Sequence, residues 1–167
     1  LEDLSVMRTL PNMVVCSPSD SYLAQLFVDY SINTKKPKYI RLDGKPLPRI
    51  YGEAMTPSWE KGFYELAKGD KICIVSCGYM THLAIELCND IKETPIGVVD
   101  VFTLKPVDEA SLLALLRRYQ TIVTLEEGFI GKGGLDSLIL NLLNEERAGV
   151  DIKSFGFKDE YVFKFGS

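Results

Sequence analysis

An α/β fold with a mainly parallel sheet is what this sequence predicts, on three observations. Short apolar runs alternate with longer stretches of helical periodicity, Gly- and Pro-containing turns separate them, and capping residues stand where helices should start. The 167 residues are 46% hydrophobic, enough to bury a substantial core. Both faces of the sheet should be covered by helices, with crossovers of the usual right hand.

The elements follow in order. A charged helical phrase, "EDLSVMR", precedes a Pro11-Asn12 break, and Met13 to Cys16 form a short apolar strand. "SPSD" then signals a helix start: Ser17 can cap with Pro18 at the first helical position, or Ser19 can cap with Asp20 favouring the dipole. Tyr22, Leu23, Leu26, Phe27 and Tyr30 keep helical spacing up to "NTKKP", and Tyr39 to Leu42 form the next strand. From Asp43 to Trp59, Pro46, Pro48 and Pro57 with Gly44 and Gly52 prevent a regular element and predict an extended interdomain linker.

"GFYELAKGDKICIVSCG" predicts two strands joined through a Lys-Gly-Asp turn, and a helix should run from about Met80 to Lys92. Ile96 to Val101 is the next strand. "PVDEASLLALLRRY" is a helix with acids early and arginines late, and Thr121 to Glu127 another strand. A Gly-rich turn, "GFIGKGG", feeds a helix from Leu135 to Glu146, and "VDIKSFGF" closes as a strand. The two-domain organisation predicted is residues 1–52 and 53–167. The first block should expose a sheet edge and be open to association or proteolysis, while residues 60–167 should hold together alone as about five strands and three helices.

Composition excludes several function classes. A net charge of −4, with no cluster of basic residues beyond Lys35-Lys36, argues against a nucleic-acid groove. No apolar run approaches the roughly 20 residues of a membrane span, and no signal-peptide pattern precedes Glu2, so the chain is expected to stay in the cytoplasm. Cys73 and Cys77, four apart on one strand, would lie about 13 Å apart, too far to share a metal or a disulfide. All four cysteines therefore read as small hydrophobes in a reducing compartment, and no metal site is expected.

The polar candidates are few. His82, the one histidine, sits near a helix start and reads as structural or surface. Arg41 ends a strand, where an arginine commonly pairs with a nearby acid, and Arg8 reads as a helix-surface or interface residue. Gly131, Gly133 and Gly134 lie between a strand and a helix, where backbone amides and the helix dipole can hold an anion. Asp136 at that helix start opposes phosphate, and the run lacks the third glycine of a dinucleotide fingerprint, so a tight strand-to-helix connection is the alternative. Glu126 and Glu127, adjacent on a strand, must face opposite ways and read as structural or interfacial.

"EDLSVMRTLPNMVVCSPSD" followed by "KYIRL" resembles the later half of the pyrimidine-binding domain of transketolase-like thiamine-diphosphate enzymes. "ICIVSCGYM", "VVDVFTLKPVD" and "IVTLEEGFIGKGGLDS" resemble the C-terminal domain of the same family, a three-layer α/β/α unit, and the four phrases occur in the family's order. The resemblance implies a C-terminal section whose front is cut away or supplied by another chain. "DEYVFKFGS" ends abruptly enough to suggest that the true C-terminus lies further on.

The resemblance further implies thiamine diphosphate and Mg2+ in the complete enzyme, held between a domain with a Gly-Asp-Gly motif and the pyrimidine domain of a neighbouring subunit. This sequence carries neither that motif nor the family's cofactor-contacting glutamate, so no cofactor is expected on this chain alone and no catalytic residue is assigned. Arg41 matches the family's arginine that contacts the sugar-phosphate substrate, a role suited to a planar, permanently charged fork. "LDGK" departs from the commoner Arg-Leu-x-Arg ending, and Asp43 is placed to orient the guanidinium or to begin a turn.

The implied activity is transfer of a two-carbon ketol unit between sugar phosphates, with a missing N-terminal section or partner subunit and a homodimer as the assembly. The alternatives are a non-catalytic dimerisation or regulatory module, a deoxyxylulose phosphate synthase, and the β part of a 2-oxo-acid dehydrogenase.

Overall fold

A computed structural model describes residues 2–145 and 148–161. Glu146, the expected end of the last helix, and the closing residues 162–167 lie outside the described residues. The elements run α1 (Asp3–Thr9), β1 (Val14–Cys16), α2 (Ser21–Asn33), β2 (Lys38–Ile40), β3 (Tyr64–Ala67), β4 (Ile72–Ser76), α3 (Met80–Asp90), β5 (Ile96–Asp100), β6 (Thr103–Lys105), α4 (Glu109–Leu116), β7 (Thr121–Phe129), α5 (Leu135–Glu145) and β8 (Asp151–Phe157).

Two sheets result, one ordered β2-β1-β6 and the other β3-β5-β4-β7-β8. In the larger sheet β4, β5, β7 and β8 are parallel, and only the edge strand β3 runs antiparallel, against β5. The apolar strands β4 and β5 are buried on both faces because helices cover both. Cys73, Val75, Val99 and Ile122 meet α4 and α5 on one side, while Ile74, Val98 and Val123 meet α3 on the other. This is the three-layer arrangement the sequence predicts.

Several details differ from the sequence expectation, each for a physical reason. β3 and β4 are consecutive in sequence but β5 lies between them. The turn joining them crosses the start of β5 so closely that a Cβ on Gly69 would stand 2.1 Å from the Gly97 nitrogen. The N-cap of α2 is Asp20, not Ser17 or Ser19: its extended backbone lets Oδ1 accept from the Leu23 amide at 2.8 Å, and Ser19 is used elsewhere. α4 is shorter than expected because Asp108 caps it, accepting from the Ser111 amide at 3.1 Å.

β6 had no counterpart in the expected elements. It follows β5 after two buried residues, Val101 and Phe102, and pairs antiparallel with β1. A strand of the second block thus completes the sheet of the first. The core is shared as well: Leu4 and Val15 pack in the same cluster as Phe63, Leu104 and Leu135. Residues 43–59 are irregular, as the prolines predict, but they are anchored instead of spanning open solvent. Tyr51 and Trp59 are both buried, and Arg49 Nε donates to the Tyr51 carbonyl at 2.7 Å.

Candidate functional site

The carboxyl ends of the two sheets face each other, and in open α/β sheets that edge is where ligands bind. The Ser17 amide, just after β1, donates to the Phe102 carbonyl at 2.9 Å, and the Val101 amide donates to the Ser76 carbonyl at 2.8 Å. These bonds bring the Ser17–Asp20 turn against the ends of β4 and β5. Gly78 permits the approach: its φ is +56°, and a Cβ there would stand 2.7 Å from Ser17 Oγ.

Two buried carboxylates organise this joint. Asp100, fully buried at the end of β5, accepts from the Ser19 hydroxyl, from Tyr51 at 2.9 Å and from Thr81 at 2.9 Å. Asp20 caps α2 with one oxygen and with the other accepts from the Ile50 and Tyr51 amides, both at 2.8 Å. His82 Nε2 lies 2.7 Å from the Ser19 carbonyl, which can only accept, so Nε2 carries the proton and the ring ties α3 to the same turn. His82 is therefore a structural residue of the joint.

Burial pushes Asp100 up to about 6, against the lowering pull of its three hydroxyl partners. The sign of the linkage follows. A carboxyl held above its unfolded value favours the fold most at pH below about 4, and that advantage is lost as pH rises through 6. The chain should lose on the order of 2–3 kcal/mol from this group between pH 4 and pH 7. Urea unfolding across that range should show the slope in the native chain and a flatter one in Asp100→Asn; equal slopes would show that Asp100 is not its source.

Arg41 follows β2, its amide bonded to the Cys16 carbonyl at 2.9 Å. Its guanidinium meets acids from two other elements: Nη2 donates to Glu127 Oε2 at 2.9 Å, and Nε lies 3.9 Å from Asp3 Oδ2. Tyr39 donates its hydroxyl to the same Asp3 oxygen at 2.8 Å. Burial works to raise Asp3, but the Tyr39 bond and the Arg41 charge outweigh it and leave the carboxyl below its usual range. Asp43, expected as a possible partner of Arg41, lines a separate small cleft with Asp20, Leu42, Lys45 and Pro46.

Gly131, Gly133 and Gly134 form the turn before α5, with positive φ at Gly131 and Gly133. Four amide donors around this turn are taken by the chain itself. Gly131 N donates to Asp136 Oδ2 at 2.6 Å, Gly133 N to Ser137 Oγ at 3.0 Å, and the Leu135 and Asp136 amides to the two oxygens of Glu126 at 2.9 and 2.8 Å. A buried carboxylate from β7 thus occupies the helix N-terminus where an external anion would sit. Burial raises the pKa of Glu126, opposed by those two amides. Arg8 of α1 closes the far side of the turn, donating to the Gly133 carbonyl and to the Gly134 carbonyl at 2.7 Å, so it bridges the two blocks.

Glu126 and Glu127 do point to opposite sides, one into the α5 turn and the other to Arg41. The four cysteines are free thiols. Burial pushes Cys16 and Cys73 up to about 12 and Cys77 well above its ordinary value, so these three behave as inert hydrophobes. Among the described residues, no helix is long and apolar enough to cross a membrane.

Known proteins are similar to this chain in sequence and in fold. The profile of the family "Transketolase, C-terminal domain" matches residues 63–164, and the chain belongs to that family. It is 31% identical over 95% of its length to an apulose-4-phosphate transketolase subunit of Actinobacillus succinogenes, covering 51% of that protein. It is 36% identical over 97% of its length to 1-deoxy-D-xylulose-5-phosphate synthase 2 of Geobacter sulfurreducens, covering 26% of it. Among solved structures, a split-gene transketolase described as an inactive β4 tetramer matches at a TM-score of 0.88 and 32% identity, over 97% of this chain and 53% of that one. A transketolase from Campylobacter jejuni, at 18% identity and a TM-score of 0.63, shares the fold. The chain spans between a quarter and about half the length of these proteins.

The family's cofactor in the full enzyme is thiamine diphosphate. Among the described residues, Glu126 fills the glycine-rich amide cradle, and no group of three or more His, Cys, Asp or Glu side chains is placed to hold a metal.

Proposed function

We propose that this chain is the C-terminal section of a transketolase-like enzyme that transfers a two-carbon ketol unit between sugar phosphates. Thiamine diphosphate and Mg2+ are held by protein outside these residues, and residues 1–52 close a pyrimidine-binding domain on which the C-terminal domain, residues 53–167, is docked. The observation that carries this reading is the match to a split-gene transketolase along nearly the whole of this chain but only about half of the other. The partner is an upstream section or subunit carrying the Gly-Asp-Gly segment, in a cytoplasmic, dimeric assembly. Arg41, at the carboxyl edge of β2, contacts the phosphate of the sugar substrate in that assembly. The Gly131–Gly134 turn is a structural connection whose anion is the chain's own Glu126.

A second reading, a section of a deoxyxylulose phosphate synthase, is favoured by relatives at 32–36% identity. The product separates the two, since only that synthase releases 1-deoxyxylulose 5-phosphate. Calorimetric titration with thiamine diphosphate and Mg2+ tests the reading common to both. This chain alone should give no binding heat, and its mixture with the upstream section should bind. Binding by the chain alone would overturn the division of the cofactor site, and no binding by either would favour a non-catalytic module.

A further inference from the structure

The C-terminal domain, which supplies no catalytic group in the reading above, nevertheless reaches the substrate-facing edge of the smaller sheet through one side chain. We propose that Glu127, with Asp3, is a positioning residue that aims Arg41 at the substrate phosphate. The inference rests on the role for Arg41 proposed above. Its physical basis is the way the guanidinium is held. Nη2 donates to Glu127 Oε2 at 2.9 Å, and Nε, on the same edge of the planar group, lies in ion-pair range of Asp3 Oδ2 at 3.9 Å, beyond hydrogen-bond distance. Each acid is itself fixed by a different element. Asp3 is held by the Tyr39 hydroxyl at 2.8 Å, and Glu127 stands on β7 just past Leu125, where the pairing with β4 ends and the register against β8 shifts. The Arg41 backbone is pinned to the Cys16 carbonyl.

Three elements therefore fix a side chain that would otherwise sample many rotamers. Among the described residues, no acceptor takes Nη1, which leaves Nη1 to meet a phosphate beside the Nη2 that Glu127 holds. The Arg41 side chain is 21% exposed and that of Glu127 27%, so the pair is reachable from solvent without opening the core. Arg41, Asp3 and Glu127 together carry a net charge of −1. A loosely held carboxylate there would compete with a phosphate, whereas one locked on the far edge only orients the guanidinium.

Two measurements test this. In the assembled enzyme, Glu127→Ala should raise KM for a phosphorylated aldose acceptor by about 10-fold, with kcat and the KM of the unphosphorylated acceptor within about 2-fold. Glu127→Gln, which keeps an acceptor oxygen, should recover most of the loss. Equal losses on both acceptors would show a merely structural role, and a lower KM in Glu127→Ala would show a competing carboxylate; either result, or no change, overturns the proposal. The second measurement needs no turnover. The Arg41 Nε–Hε resonance of this chain should shift on titration with inorganic phosphate, more weakly in Glu127→Ala and nearly as in the native chain in Glu127→Gln. No shift in the native chain overturns the proposal, whereas a shift in an assembly that fails to transfer ketol units sinks only the reading of activity.

Discussion

Asp100→Ala should lower the stability of the chain by about 2–4 kcal/mol at pH 7. Three hydroxyls, on Ser19, Tyr51 and Thr81, converge on this carboxylate, and they come from the turn before α2, the irregular 43–59 segment and the first turn of α3. Removing the acceptor leaves buried donors without a partner, a penalty of about 1–3 kcal/mol each when no water can enter. Part of that is offset because the folded variant no longer buries a carboxylate. Asp100→Asn keeps the volume and an acceptor oxygen, so it should cost about 1 kcal/mol. If alanine and asparagine proved equally mild in urea unfolding, the carboxylate would not organise the joint.

Trp59→Ala should cost about 3–5 kcal/mol, the usual range for deleting a buried aromatic. Trp59 ends the irregular segment and packs edge-on against Phe27 and Phe102, each at 5.0 Å, and stacks on Tyr30 at 5.8 Å. Phe27 and Tyr30 belong to α2 and Phe102 to the link between β5 and β6, so one side chain fastens the two blocks together. Its indole nitrogen is buried without a hydrogen-bond partner among the described residues. Trp59→Phe therefore relieves one unsatisfied donor while keeping an aromatic, and should cost under about 1.5 kcal/mol.

Trp59 is the chain's one tryptophan, so its fluorescence reports the joint directly. Urea unfolding followed by fluorescence and by far-UV circular dichroism should give one coincident transition, because β6 and the shared core make the blocks interdependent. A fluorescence change at distinctly lower urea would mean that residues 1–52 detach first, as the sequence alone suggests.

The layered fold was largely legible because β4 and β5 are continuous apolar runs, which only strands covered on both faces tolerate. β6 was not legible. Three residues that follow Asp100 almost directly, in the same apolar phrase, carry no sign that the chain leaves one sheet for another. The α2 cap was expected at Ser17 or Ser19 and lies at Asp20, because the buried position of Asp100 draws the Ser19 hydroxyl away and leaves Asp20 to accept from the Leu23 amide.

The candidate site was visible as single residues and not as an arrangement. Arg41 stood out, but its partners Asp3 and Glu127 lie far away in sequence on α1 and β7, and no local spacing links them. The glycine-rich turn was recognisable as an amide cradle. That its anion is Glu126, brought there at the end of β7, needed the sheet to be seen.

The measurement closest to the central claim is two-carbon transfer from a ketose phosphate to an aldose phosphate, assayed with thiamine diphosphate and Mg2+ for this chain alone, the upstream section alone, and the two together. The account predicts turnover only in the mixture, lost when Arg41→Ala is used with a phosphorylated acceptor at ordinary concentrations. Transfer by either part alone, or none in a mixture shown to associate, would contradict it.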